Sequence, residues 1–354
     1  MNGIATHIVR IGALAALAAS LPATVDAQAQ RWWADVKALA DDSMRGRNTG
    51  SPEHKKAADF VAAGFKAAGL KPIGISGYIQ PVAFVGRTLD ESKSSLTLIR
   101  DGHHEVLILG EDATLNARAP LAARVSAPVV FAGYGLDLPE YGHDDLSTLD
   151  LKGKVVAFLT GAPKGIPGPV LSHARSSAWK TYQAHGAIGV IAFSSTRAAD
   201  SVFVRAARNR AIGPQMALAE SAIDPQGGNT LLIQWNGARG EKLFAGAPER
   251  FATLAAMADS GLPLPTFALP VTIRSTARVT QIPIVSQNVA GVLIGSDPKL
   301  KDEYVVLTAH LDHLGVGRAE DGDSIYNGAM DNASGTALLM DVARELHARG
   351  TTLS

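Results

Sequence analysis

The chain contains no cysteine. Disulfides are excluded, and so is a lipid anchor that needs a cysteine at a cleavage site. A chain of 354 residues can do without them, because its core is large enough to hold the fold. Charge of one sign is missing too: Lys+Arg and Asp+Glu both number 33. That balance leaves no electrostatic footprint for nucleic acid, and no basic run marks a membrane surface. No apolar stretch reaches the length of a membrane span, so no membrane anchor is expected. What remains is a core-forming chain long enough for two domains, rich in glycine and therefore in tight turns.

The first residues have the order of an export signal. Met1 to Arg10 holds one arginine and no acid, and Ile11 to Leu21 is apolar and helix-prone. Pro22 and the small-residue patterns Val25-Asp-Ala27 and Ala27-Gln-Ala29 follow. The apolar part is too short to span a bilayer, so residues 1–29 are expected to be a cleavable signal peptide, cut after Ala27 or Ala29. The mature protein is then secreted or periplasmic.

Helical spacing recurs at Trp33, Val36, Leu39 and Ala40, and again at Ala58, Val61, Ala62 and Phe65. Between them lies a polar loop, Ser43 to Pro52, and Gly69 with Pro72 stops the second helix. Strands are expected at 96–99, 105–109, 128–132, 153–159 and 188–193, with a helix over 176–185. The segment 153–193 is a strand–helix–strand unit, which favours a parallel pair. The paired His103 and His104 beside Gly102 read as a hairpin turn, and the Pro-rich 263–270 as an extended segment or a linker. Further strands are expected at 287–295 and, buried, at 304–309.

The chemistry sits near the end. His310 follows the apolar run Tyr304 to Ala309, which places it at the C-terminal end of a covered strand, where open α/β sheets put their ligands. On an extended chain His310 and Asp312 point the same way, so the carboxylate can accept the second ring N–H of a metal-bound histidine. A polar cluster held by ordinary hydrogen bonds explains the pair equally well. His313 falls on the opposite face by the same alternation and reads as structural or as a support for a ligand, not as a ligand itself.

Asp331 lies in the small-residue stretch Gly328 to Gly335, ahead of a helix whose apolar face is Leu338, Leu339, Val342 and Leu346. Asp331 or Asn332 could simply cap that helix. Alternatively, the two Asp331 oxygens bridge metal ions, with glycines allowing close backbone approach. His310 and Asp331 together favour metal. Asp341, Glu345 and His347 read as solvated, with Glu345 paired to Arg349 at i+4. His54, His143, His173 and His185 show no partner pattern. Asp137, Glu140, Asp144, Asp145 and Asp150 lack regular calcium spacing and read as a solvated loop.

The stretch Val305–Glu345, with Ala309-His-Leu-Asp-His-Leu-Gly315 and Ile325-Tyr-Asn-Gly-Ala-Met-Asp-Asn-Ala-Ser-Gly335, resembles the M28 family of zinc aminopeptidases. Met44-Arg-Gly-Arg-Asn-Thr-Gly-Ser51 and the helix 57–70 are similar to that family as well. Residues 93–278 resemble its inserted protease-associated (PA) domain, through Phe131-Ala-Gly-Tyr-Gly135, Asp150-Leu-Lys-Gly-Lys-Val-Val156 and His185-Gly-Ala-Ile-Gly-Val190. The resemblance implies an α/β fold: an α/β/α zinc-peptidase core with a partial, mostly parallel mixed sheet, carrying a β-rich PA insert. The implied layout is a signal over 1–29, a helical peptidase part over 30–92, the PA insert over 93–278 and an incomplete catalytic core over 279–354.

The resemblance further implies that His310 ligates one zinc, that Asp331 bridges two, that Asp312 orients His310, and that the Asp331–Asn332 peptide is cis. Substrates would be peptides with a free N-terminus, hydrolysed by a zinc-activated water. The family's Gly-Glu-Glu general base and later ligands do not appear before Ser354. The chain is therefore expected to be a piece of a longer enzyme, inactive alone. A mono-zinc cyclase-like enzyme and a non-catalytic binding module of the same fold stay open.

Overall fold

The computed structural model describes residues 27–194, 203, 213–295, 297–300 and 302–349. Most of the expected export signal lies outside them; residues 27–29 already belong to a helix. Helices α1 (27–39), α2 (Pro52–Ala67), α3 (Gly168–Ala184), α4 (Gly240–Phe244), α5 (Phe251–Asp259) and α6 (Ser334–Ala348) are joined by strands into a mixed α/β chain. It divides into two compact units, one of residues up to Val82 and from Val285, the other of Ala83–Ile284. The chain leaves the first unit within the strand Ile79–Leu89 and returns within Val279–Val289.

The 83–284 unit is built on one eight-stranded sheet. Its strands in chain order are β1 (Ser95–Arg100), β2 (His103–Leu107), β3 (Ala113–Leu115), β4 (Arg124–Ala132), β5 (Val155–Leu159), β6 (Gly189–Phe193), β7 (Leu231–Trp235) and β8 (Thr266–Thr276). In space they run β2-β1-β8-β4-β5-β6-β7-β3. The four strands β4 to β7 are mutually parallel, and antiparallel strands flank them. The strand–helix–strand expectation holds here: β5 and β6 pair in parallel across α3.

Strand β5 shows why. Every residue of Val-Val-Ala-Phe-Leu is buried. Alternation sends Val155, Ala157 and Leu159 into one apolar cluster and Val156 and Phe158 into another.

One sequence expectation fails in this unit and another is narrowed. His103 and His104 are not the turn but the exposed start of β2. The turn is Asp101-Gly102, both at positive φ, which suits the twist of a tight hairpin. Of the two readings of the Pro-rich 263–270, the extended segment holds and the linker does not: most of it opens β8, between β1 and β4. Pro270 is tolerated because the β8–β4 register shifts between Ala268 and Thr272, so no ladder bond is asked of its missing N–H.

The other unit is a helical cluster. Val36 and Leu39 from α1, Ala57, Val61 and Phe65 from α2, and Ala337 and Met340 from α6 share one core with Met44 and Ala333. Ser51 caps α2, its hydroxyl accepting from the His54 N–H at 3.0 Å, with Pro52 at the first helical position. Gly69 at φ 73° ends the helix, and the Leu70 N–H reaches back to the Phe65 carbonyl.

Three expectations are corrected here. The 304–309 run is neither strand nor buried: Val305 is 92% exposed, and no strand pairs with the run among the described residues. An apolar run becomes a strand only where a ladder accepts its N–H and C=O groups. The buried face of α6 is Thr336, Ala337, Met340, Asp341 and Ala343, while Leu338 is exposed. Asp341 is therefore not solvated: it is 3% exposed, accepts from Gln28 Nε2 at 2.8 Å, and lies between Arg31 and Arg344. Glu345 pairs with Arg31 at 3.3 Å.

Candidate metal centre

Two loops carry the candidate ligands. The first, 310–314, has no sheet to satisfy its backbone, and side chains do so instead. Thr336 Oγ1 donates to the His310 carbonyl at 3.2 Å, Arg47 Nε to Leu311 O at 2.9 Å, and Asn48 Nδ2 to Leu314 O at 2.9 Å. The His313 N–H donates to the Arg47 carbonyl at 3.3 Å.

The second loop is 327–333. Asn327 Nδ2 donates to the Ala40 carbonyl at 2.9 Å and to Asp42 Oδ1 at 2.8 Å. Gly328 turns the chain at φ 64°; a Cβ there would lie 2.5 Å from Asp331 O and 2.6 Å from the His313 ring. Asn332 takes the capping task, its Oδ1 accepting the Gly335 N–H at 3.1 Å. That leaves the Asp331 carboxylate free to face the first loop. The Asp331–Asn332 peptide is cis.

The loops meet at His310 and Asp331. His310 Nε2 lies 3.0 Å from Asp331 Oδ1. On the other ring edge, His310 Nδ1 is 3.1 Å from the Asp312 carbonyl and 3.5 Å from Asp312 Oδ1. Asp312 Oδ2 in turn accepts the Thr49 hydroxyl at 2.6 Å. A chain of contacts thus runs Thr49–Asp312–His310–Asp331.

His313 does not face away. Its Nδ1 is 3.9 Å from Asp331 Oδ2, and burial holds its pKa below the ordinary imidazole value. The strand-based alternation fails because residues 310–314 are not extended. Arg47 and Thr49 escaped the sequence reading as site residues, although Met44 to Ser51 was noticed as a stretch. The stretch stands out as a polar loop with two glycines, but nothing in its spacing singles out either residue. His54, which showed no partner in sequence, is buried and shares a 3.2 Å hydrogen bond with Ser286 Oγ; burial lowers its pKa also.

The donor set fits zinc as far as it goes. Two ligands on one tetrahedral zinc, with Zn–N and Zn–O near 2.0–2.2 Å, stand about 3.4 Å apart. His310 and Asp331 need only a slight opening to reach that. Both side chains are more than half exposed, so an ion can reach them. The Asp312 carbonyl is the hydrogen-bond partner of His310 Nδ1, and a carbonyl or carboxylate there is the usual partner of a zinc-bound imidazole. Among the described residues no group of three or more His, Asp or Glu is arranged to hold a metal.

Residues 288–354 match the model of peptidase family M28. A search of curated proteins finds no match. Among solved structures, the chain is similar to an aminopeptidase from Aneurinibacillus sp. strain AM-1, at 18% identity, with 90% of this chain and 59% of that chain covered and a TM-score of 0.42. It is also similar to BSAP, a zinc aminopeptidase from Bacillus subtilis, at 16% identity, with 90% and 58% covered and a TM-score of 0.35. The chain thus spans less than two thirds of the length of these structures.

Proposed function

We propose that the chain is part of a zinc aminopeptidase and that His310 and Asp331 are two of its metal ligands. The observation that carries this is the 3.0 Å approach of His310 Nε2 to Asp331 Oδ1, made by two separate loops of an M28 segment. When bound, zinc supplies Lewis acidity at a peptide carbonyl. In the two-zinc reading the Asp331 carboxylate would serve both ions. Asp312 holds the His310 ring through Nδ1, and Thr49 holds Asp312.

Substrates are peptides with a free N-terminus. Export rests on the leader in residues 1–29; cleavage after Ala27 would keep Gln28 on Asp341, and mass spectrometry of the secreted N-terminus tests it. The 83–284 unit stands in this reading as the PA-type insert, supported by its separate compactness.

Only two ligands converge among the described residues, and a catalytic zinc takes about three from the protein. The isolated 354-residue chain is therefore expected to leave aminoacyl-p-nitroanilides intact with zinc present. Turnover above a His310→Ala control would overturn that part.

A further inference from the structure

The least expected side chain in the molecule is Arg47. It is fully buried, and its hydrogen-bond partners are all backbone carbonyls. Nε donates to Leu311 O at 2.9 Å, in the loop that carries His310 and Asp312. Nη1 donates to Asn327 O at 2.7 Å and Nη2 to Gly328 O at 3.0 Å, in the loop that carries Asp331. Nη1 also reaches the Leu39 carbonyl at the end of α1. One rigid, planar fork therefore joins both ligand loops to the helical core.

The backbone around it is shaped to deliver that fork. Arg45, Gly46 and Arg47 all have positive φ. A Cβ on Gly46 would run into the Tyr326 and Gly315 carbonyls, so the turn is pressed against both loops. A buried guanidinium is costly unless its donors are satisfied. Burial pulls the Arg47 pKa below the ordinary guanidinium value, and the charges of Asp312 and Asp331 act against that pull.

We propose that Arg47 is a positioning residue that sets the His310–Asp331 separation and so determines zinc affinity. This rests on the zinc reading above. Charge and geometry have opposite signs here. A positive group near two carboxylates weakens cation binding by repulsion, so as a mere charge Arg47 would oppose zinc. As a brace it would favour zinc, and lysine could not replace it, because an ammonium cannot span the two loops with a planar fork.

The test is zinc titration of the full chain, with Arg47→Lys, Arg47→Met, His310→Ala and Asp331→Ala. The expected result is a zinc affinity at least ten-fold weaker in both Arg47 variants, while the α6 amides keep their protection from hydrogen exchange and amides in 310–315 and 326–333 exchange faster. Unchanged affinity in Arg47→Lys, or tighter binding in Arg47→Met, would overturn the proposal. If His310→Ala and Asp331→Ala leave zinc binding unchanged, the zinc reading itself fails, and the proposal with it. Should the Arg47 variants not fold, the wild-type guanidinium resonances decide. Resolved, slowly rotating Nη groups, with zinc shifting them, support the brace; motionally averaged ones that zinc does not move overturn it.

Discussion

Replacing Thr49 by valine removes one hydrogen-bond donor and almost no volume. In the folded chain the Thr49 hydroxyl donates to Asp312 Oδ2 at 2.6 Å, a short O–H···O⁻ contact. A hydrogen bond to a charged group contributes about 1.5–3 kcal/mol when water is excluded. Asp312 is 43% exposed, so water competes for it and the contribution falls to about 1 kcal/mol. Thr49→Val should then speed exchange of the α6 amides, which report opening of the helical unit, by roughly five-fold. A double-mutant cycle with Asp312→Ala, which removes the acceptor, isolates the pair. The expected coupling is about 1 kcal/mol. Equal effects of Thr49→Val with and without the Asp312 carboxylate would refute the claim that Thr49 works through Asp312.

Other perturbations have equally definite outcomes. Met340→Ala empties a site that is 1% exposed among Val36, Val61 and Phe65; it should cost about 2–5 kcal/mol and unprotect α6 in hydrogen exchange, leaving β5 protected. Gly328→Ala forces a Cβ against the Asp331 carbonyl and the His313 ring, so it should weaken zinc uptake more than it shifts the unfolding midpoint. Burial lowers the His54 pKa from 6.5, so the folded chain binds fewer protons there than the unfolded chain. Its stability contribution is whole above about pH 6.5 and is lost as pH falls through that value toward the lowered one. His54→Gln should flatten this acid limb in urea midpoints measured between pH 7 and 5.

The parts of the fold that depend on local pattern were legible in the sequence. The strand–helix–strand over 153–193 shows its change of period, and α2 shows its helical spacing and its glycine stop. Strand β8 was not legible, because its proline argues for a linker unless the register break at 268–272 is known. The buried face of α6 was misread for a similar reason: Ala337, Met340 and Ala343 are chosen by close helix packing, which hydrophobicity alone does not reveal.

In the site, His310, Asp312 and Asp331 could be found because metal chemistry restricts residue type. Arg47 could not. Its task is to satisfy carbonyls of chain segments some 260–280 positions away, and no local spacing encodes that. The facing of His313 was misread because the alternation assumed a strand where side-chain anchors had replaced the ladder.

The central claim is that His310 and Asp331 bind one zinc ion together. Isothermal titration of zinc into the full chain, beside His310→Ala and Asp331→Ala, tests it most directly. The account predicts binding that each substitution weakens at least ten-fold, with no additional loss in the double variant beyond that of a vacated site. Zinc uptake indifferent to both substitutions would contradict it.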